Sequence, residues 1–209
     1  MIKIACHVLG PLFNNTYLLS DLETKQAVVI DPAFDPDPLL RDIHKNKWQV
    51  VGIWLTHAHF DHFAGLANLV RSIEPVPPIG LHHGDLDLYH AGGLSENFGI
   101  PMPVLPEPMQ LFSHKQIISL GQTQIEVRHT PGHSPGHVIF YIPMQAILFS
   151  GDLIFHLSVG RTDLPGGNFK QLLDSINNQV MDLPPETCIL NGHGPETTVG
   201  EEMHGNPFL

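Results

Sequence analysis

Apolar residues along this chain come in short runs cut by Gly, Pro and Asp, not in long continuous stripes. The run Val50-Val51-Gly52-Ile53-Trp54-Leu55 is rich in β-branched and aromatic side chains and reads as a buried strand. Behind it, Phe63-Ala64-Gly65-Leu66-Ala67-Asn68-Leu69-Val70 has helical apolar spacing, giving a helix to about Ser72. Earlier strands are expected at Ile2 to Val8, Asn15 to Ser20 and Gln26 to Ile30, with a helix from Pro36 that carries prolines where a missing N–H costs nothing. A short strand follows at 79–83, after prolines 75, 77 and 78 stop the preceding helix.

Residues 84–113 break the pattern. Asp85 to His90 reads as a helical turn, and the prolines at 101, 103, 106 and 108 exclude regular helix or a central strand. Such an excursion reads either as a lid or as a passive surface loop. From 116 strand patterns return: Gln116 to Leu120, Thr123 to Arg128, His137 to Ile142 and Ala146 to Ser150. A helix from about Asn168 to Met181 and a strand at 187–190 complete the chain. Strands mixed with helices over the whole length predict a layered α/β (α+β) arrangement in one domain, 1–209, with no linker and no repeat.

Composition narrows the partners. Hydrophobic residues make up 42% and charged residues only 15%, which suits a turn-rich globular core. The formal charge is −11 and Lys/Arg nowhere cluster, which argues against nucleic acid and anionic membrane as partners. Cys6 and Cys188 lie far apart with no C-x-x-C spacing, so two reduced thiols are expected. The first eight residues are too interrupted for a signal peptide, and no run reaches the ~18 apolar residues of a membrane span. The expectation is a soluble, cytoplasmic protein.

Histidine changes the picture. There are 15, more than the 10 Lys and Arg combined. His57, His59, Asp61 and His62 fall directly after the 50–55 strand, in a strand-to-helix turn where side chains converge without opening a core. His57 and His59, two apart, point the same way in extended backbone, while Asp61 and His62 would open the helix and reach a second point. Borderline divalent metals take such donors. Three more polar groups each stand where a strand has just ended: His133 in a Gly/Pro-fixed turn, Asp152, whose two oxygens could bridge two ions, and His193 between glycines. Together they supply five His and two Asp, enough for two ions with positions left open for water and substrate. His82, His83, His90 and His156 are read as structural or exposed.

His-x-His-x-Asp-His at 57–62, then His133, Asp152 and His193, resembles the metallo-β-lactamase fold superfamily. The Gly151-Asp152-Leu153-Ile154-Phe155 tract, the 160–167 loop, the 192–198 segment and the Asn206-Pro207-Phe208-Leu209 ending resemble the short bacterial glyoxalase II-like hydrolases. The resemblance implies a four-layer αββα sandwich with the site at one edge of the two sheets. It implies one metal on His57, His59 and His133, another on Asp61, His62 and His193, and Asp152 bridging them. Asp31 matches an acidic position that supports a ligand His from behind. The implied activity is hydrolysis of an acyl bond, foremost a thioester such as a 2-hydroxyacyl thiol, with Asp61 both ligating and holding the proton of the attacking water. Arg161 is the expected substrate contact, or else half of a salt bridge to a neighbouring Asp. Zinc leads as the metal, with iron and manganese open. Full-length glyoxalase II carries a C-terminal helical region that holds glutathione, whereas this chain stops 16 residues after His193, which leaves the carrier thiol open. Persulfide dioxygenases of the same fold, using a single iron on the equivalents of His57, His133 and Asp152, give the competing reading. A nuclease or a non-catalytic metal module stands further back.

Overall fold

Side chains that alternate in direction along the strands build two sheets that share one interior. In the computed structural model, which describes residues 1–209, the first sheet contains β1 (Ile2–Leu9), β2 (Asn14–Asp21), β3 (Gln26–Ile30), β4 (Gln49–Trp54), β5 (Ile79–His82) and β6 (Gln110–Phe112), paired in that order. The first three run antiparallel to their neighbours, and β3 to β6 run parallel. The second sheet has β7 (Gln116–Leu120), β8 (Thr123–His129), β9 (Val138–Ile142) and β10 (Ile147–Gly151). After a small hairpin of β11 (Ile154–Phe155) and β12 (Ser158–Val159), it continues with β13 (Cys188–Asn191) and β14 (Thr197–Thr198). Its spatial order is β14-β13-β10-β9-β8-β7.

Alternate side chains on each strand enter different cores. In β9, Val138, Phe140 and Ile142 face Tyr17, Leu19, Val28, Ile30 and Trp54 of the first sheet, while Ile139 and Tyr141 face the other way. The outer face of the first sheet, with Leu18, Ala27, Val29 and Ile53, packs on α1 (Asp37–Asn46) through Leu39 and Ile43 and on α2 (Leu66–Arg71) through Leu66 and Leu69. The five-residue α3 (Leu86–His90) adds Tyr89 to this core. On the far side, Ile139, Leu148 and Ile189 pack under α4 (Phe169–Gln179) and α5 (Val199–Gly205) through Leu172, Ile176 and Val199. Three apolar cores between four layers make the expected αββα sandwich. No helix is long and apolar enough to cross a membrane. Cys6 and Cys188 are unpaired.

Besides the short strands β11, β12 and β14, which the sequence reading lacks, the elements depart from it in three places. Asp61 and His62 do not open a helix: Phe60–His62 is a single 3-10 turn, and α2 begins only at Leu66. The tighter turn holds both side chains buried beside the strand end instead of carrying them along a helix axis. The 84–113 excursion is not wholly irregular, since its last residues form β6 against β5. The chain also ends in α5, a helix the apolar pattern gave no reason to expect. It is opened by a capping box in which Thr198 and Glu201 satisfy each other's backbone N–H groups.

Candidate metal centre

Every candidate ligand sits in a segment that leaves a strand at the same edge of the sandwich. The turn after β4 brings His57, His59, Asp61 and His62; the turn after β8 brings His133; the end of β10 brings Asp152; the end of β13 brings His193. Their ligand atoms form two groups, His57/His59/His133 and Asp61/His62/His193, each with its atoms within 4.8 Å of one another. Asp152 stands between them, with Oδ1 3.3 Å from His62 Nε2 and Oδ2 3.6 Å from His193 Nε2 and 3.7 Å from His133 Nε2. All seven predicted residues are thus brought together.

Hydrogen-bond partners assign the ring tautomers. His133 Nδ1 donates to the Arg161 carbonyl at 2.8 Å, and His193 Nδ1 to the Leu12 carbonyl at 3.0 Å. Thr56 Oγ1 donates to Asp31 Oδ2 at 2.6 Å, so it accepts from His57 Nδ1 at 3.0 Å. His62 Nδ1 donates to the same Asp31 oxygen at 3.0 Å. Asp31 adopts a left-handed φ of 50°, which Asp tolerates better than most residues, and also accepts the Thr56 backbone N–H at 2.7 Å. In the neutral rings four Nε2 lone pairs are therefore left facing the centre. His57 Nε2 and His133 Nε2 lie 3.2 Å apart, and His59 Nδ1 is 2.8 Å from the same His133 atom. At most one hydrogen, on His59 Nδ1, serves these three nitrogens. His62 Nε2 and Asp152 Oδ1 are buried and have no hydrogen-bond partner at all. Converging lone pairs and carboxylates with too few hydrogens to join them are what a cation satisfies, and this donor set fits borderline divalent metals. A third group, Asp31/His57/His62, also lies within ligand distance, but Asp31 is committed to hydrogen bonds behind the rings.

Electrostatics divides the two triads. Burial, with the other imidazoles alongside, pulls His57 far down and His59 to about 3, and burial lowers His133 as well. These three are neutral donors at pH 7. Burial also opposes charge on His62 and His193, but Asp152 and Asp61 outweigh it and push both up. Burial pushes Asp61 upward too, yet His62, His193 and Asn14 hold it at about 2. The Asp61/His62/His193 side is a place that demands positive charge.

Four further residues complete the floor. Asn14, buried in β2, donates through Nδ2 to Asp61 Oδ2 at 2.9 Å and approaches His193 Nε2 at 3.2 Å. Asp85 is fully buried and accepts from the Ala58 N–H at 2.9 Å, Ser134 Oγ at 2.7 Å and the Gly136 N–H at 2.6 Å, tying the 57–62 turn to the 133–137 turn. His137 Nε2 accepts the Asp152 N–H at 3.1 Å, so it holds the carboxylate's backbone and is not a free donor. Gly192 is needed at its position, because a Cβ there would run into Asp152 and His62.

Above the triads lies a cavity of about 450 Å³ lined by His59, Asp61, His133, Asp152, His193, Arg161 and apolar side chains. Arg161 lines it, and its guanidinium forms a two-pronged pair with Asp163 at 2.7 Å each, the salt-bridge alternative of the sequence reading. His82, His83, His90 and His156 do not line it.

Residues 9–193, most of the chain, match the Metallo-beta-lactamase superfamily. The chain belongs to the metallo-beta-lactamase superfamily and is one of its metal-dependent hydrolases. It is 33% identical over 197 residues to the Haemophilus influenzae hydroxyacylglutathione hydrolase GloC, covering 93% of this chain and 92% of that one. Among solved structures, TTHA1623 in a di-iron-bound form is 43% identical with a TM-score of 0.88, over 98% of this chain and all (100%) of that one. BLEG-1, a B3 metallo-beta-lactamase, is 37% identical with a TM-score of 0.90, over 99% of each chain.

Proposed function

We propose that this protein hydrolyses a small-molecule thioester, such as S-lactoylglutathione or another 2-hydroxyacyl thiol, using the seven His and Asp side chains as ligands for two divalent metals. The observation that carries the reading is the pair of donor triads meeting at Asp152 beneath a substrate-sized cavity. The likeness to GloC supports the acyl class. The di-iron form of TTHA1623 keeps iron beside zinc and manganese as the metal. When bound, two such cations lower the pKa of a water from 15.7 to about 7 and polarise a carbonyl.

The chain's own groups do the rest. Asp61 Oδ2, held by Asn14 and ionised at neutral pH, accepts the proton of the attacking water and orients it towards the acyl carbon. Asp31, Thr56 and the carbonyls of Arg161 and Leu12 keep the imidazoles from rotating, so the site needs little reorganisation as charge develops. Gly93, Leu94 and Phe98 from the 84–113 excursion overhang the cavity and serve as its cover, excluding water around the scissile bond. The substrate is a small molecule and not a nucleic acid, because Arg161 is the one Lys or Arg lining the cavity and the chain carries −11. We place the reaction in the cytoplasm.

The test pairs elemental analysis of the purified protein with thioester and β-lactam assays, the latter because of BLEG-1. Two metal equivalents per chain and thioester cleavage are expected, with Asp61→Asn lowering kcat by about 10²–10⁴. A single iron with oxygen uptake on a persulfide would overturn the hydrolytic assignment in favour of the dioxygenase.

A further inference from the structure

The cavity's walls differ in kind from its floor. The β1–β2 turn contributes Leu12, the 84–113 excursion Leu94 and Phe98, and the chain beyond Asp152 contributes Phe155, Val159 and Leu164. These walls are anchored. The Phe60 N–H donates to the Gly93 carbonyl at 3.0 Å, and Gly93 lies so close to Phe60 and Ala58 that a side chain would not fit. Leu94 follows in a left-handed conformation, φ 67°, and Phe98 packs on Phe60 with ring centroids 5.1 Å apart. The apolar wall is therefore built onto the ligand turn by its backbone.

Cationic groups are scarce. Of the 15 lining residues only Arg161 is a Lys or Arg, and Asp163 already occupies its guanidinium in a fork-to-fork pair. A partner two residues away acts at an effective concentration that a dissolved carboxylate matches only with difficulty. Glutathione brings two free carboxylates. Against this wall neither finds an unpaired side-chain cation, whereas a neutral aliphatic or aromatic arm gains by covering the apolar side chains.

We propose that the arm of the substrate carrying the sulfur is preferentially uncharged and apolar: a 2-hydroxyacyl thioester of a neutral aliphatic or aromatic thiol is taken ahead of one of a carboxylate-bearing peptide. This rests on the thioester reading above and narrows it. Water adds across the acyl C–S bond: a C–O bond forms and the C–S bond breaks. The water oxygen stays in the hydroxy acid, one proton goes to the departing sulfur to give the free thiol, and no electrons are exchanged with a co-substrate.

The test uses metal-loaded full-length protein and two esters with the same lactoyl group, S-lactoylglutathione and the lactoyl thioester of benzyl mercaptan. The benzyl ester is expected to have the higher kcat/KM by about tenfold or more. Asp163→Ala, which frees Arg161, and Phe98→Lys, which adds a cation, should each shift the glutathione-to-benzyl ratio towards glutathione by about tenfold. Equilibrium binding gives a readout independent of turnover: benzyl methyl sulfide should bind measurably tighter than S-methylglutathione. A glutathione ester cut as fast as the benzyl ester, with S-methylglutathione the tighter ligand, overturns the proposal. If neither ester is cut, the thioester reading fails separately, and the binding pair still decides which arm the walls accept.

Discussion

The floor and the mouth of the cavity lie a few ångströms apart and are built by opposite means. On the floor, His57, His59, His62, His133 and Asp152 are all buried, and four of the five ligand histidines, all but His59, are braced from behind by a hydrogen-bond acceptor. At the mouth, Leu12 is 45% and Phe98 49% exposed, and the Arg161–Asp163 pair stands in solvent. A buried polar network is worth its cost only when every member is satisfied, so it tolerates little change. An apolar rim has no partners to satisfy and can be altered one side chain at a time. On the function proposed above, reaction chemistry and choice of substrate fall to regions with different tolerance to mutation.

The sharpest way to break this contrast is to cut the brace furthest from the chemistry. Asp85 touches no candidate ligand, yet three donors from two ligand-bearing turns end on its carboxylate. Asp85→Ala leaves all three buried without an acceptor and opens a small void. We expect a loss of about 4 kcal/mol in unfolding free energy, read by urea denaturation, together with weakened metal retention. If stability is unchanged, the two turns are held by their own backbones and Asp85 is incidental. A smaller effect is expected from Asp31→Asn. The carboxamide offers one oxygen where Thr56 N–H, Thr56 Oγ1 and His62 Nδ1 need acceptors, and its NH₂ group faces one of those donors. Metal affinity should fall about 10–100-fold in a chelator competition, while binding of a neutral thioether at the mouth stays the same. Equal losses in both would mean that floor and mouth are not separable.

The contrast also explains what was legible beforehand. His57, His59, Asp61, His62, His133, Asp152 and His193 stand out because each is a polar ligand type directly after an apolar strand. Position along a strand is local information, so a sequence carries it. Asn14 could not be found that way: it reaches Asp61 across 47 residues, and an Asn near a turn is usually a turn residue. His137 shares the 130–137 turn with His133 and looks equally like a ligand; only the Asp152 N–H on its Nε2 separates them. Asp85 lay within the one irregular stretch. The Thr198/Glu201 capping signal stands alone in the sequence, because α5 is too short to show an apolar period beside it. The mouth was least legible of all, since Leu12, Leu94 and Phe98 are indistinguishable from core residues until the fold places them at an opening.

The mildest prediction concerns a histidine group that the floor does not use. His82, at the end of β5, is buried to 4% exposure, and its ring stacks on that of His129 in β8 with centroids 4.0 Å apart. Its Nδ1 accepts the Gly84 N–H at 3.1 Å, so protonation there would break that bond. Burial, with His129 and His83 adding repulsion, pulls His82 down to about 4. The unfolded chain, with histidine near 6.5, therefore takes up a proton more readily than the folded one. The contribution of neutral His82 is fully present above pH 6.5 and is lost as the pH falls towards 4. In metal-free protein, His82→Gln should lose less stability than the parent chain between pH 7 and pH 4.5. The difference should be no more than about 1 kcal/mol, because solvent reaches part of the ring cluster. Comparing the two chains cancels the ligand histidines, which titrate in both. Parallel curves would place the acid sensitivity of the fold entirely in the metal centre, and the contrast between a demanding floor and tolerant surroundings would then be steeper still.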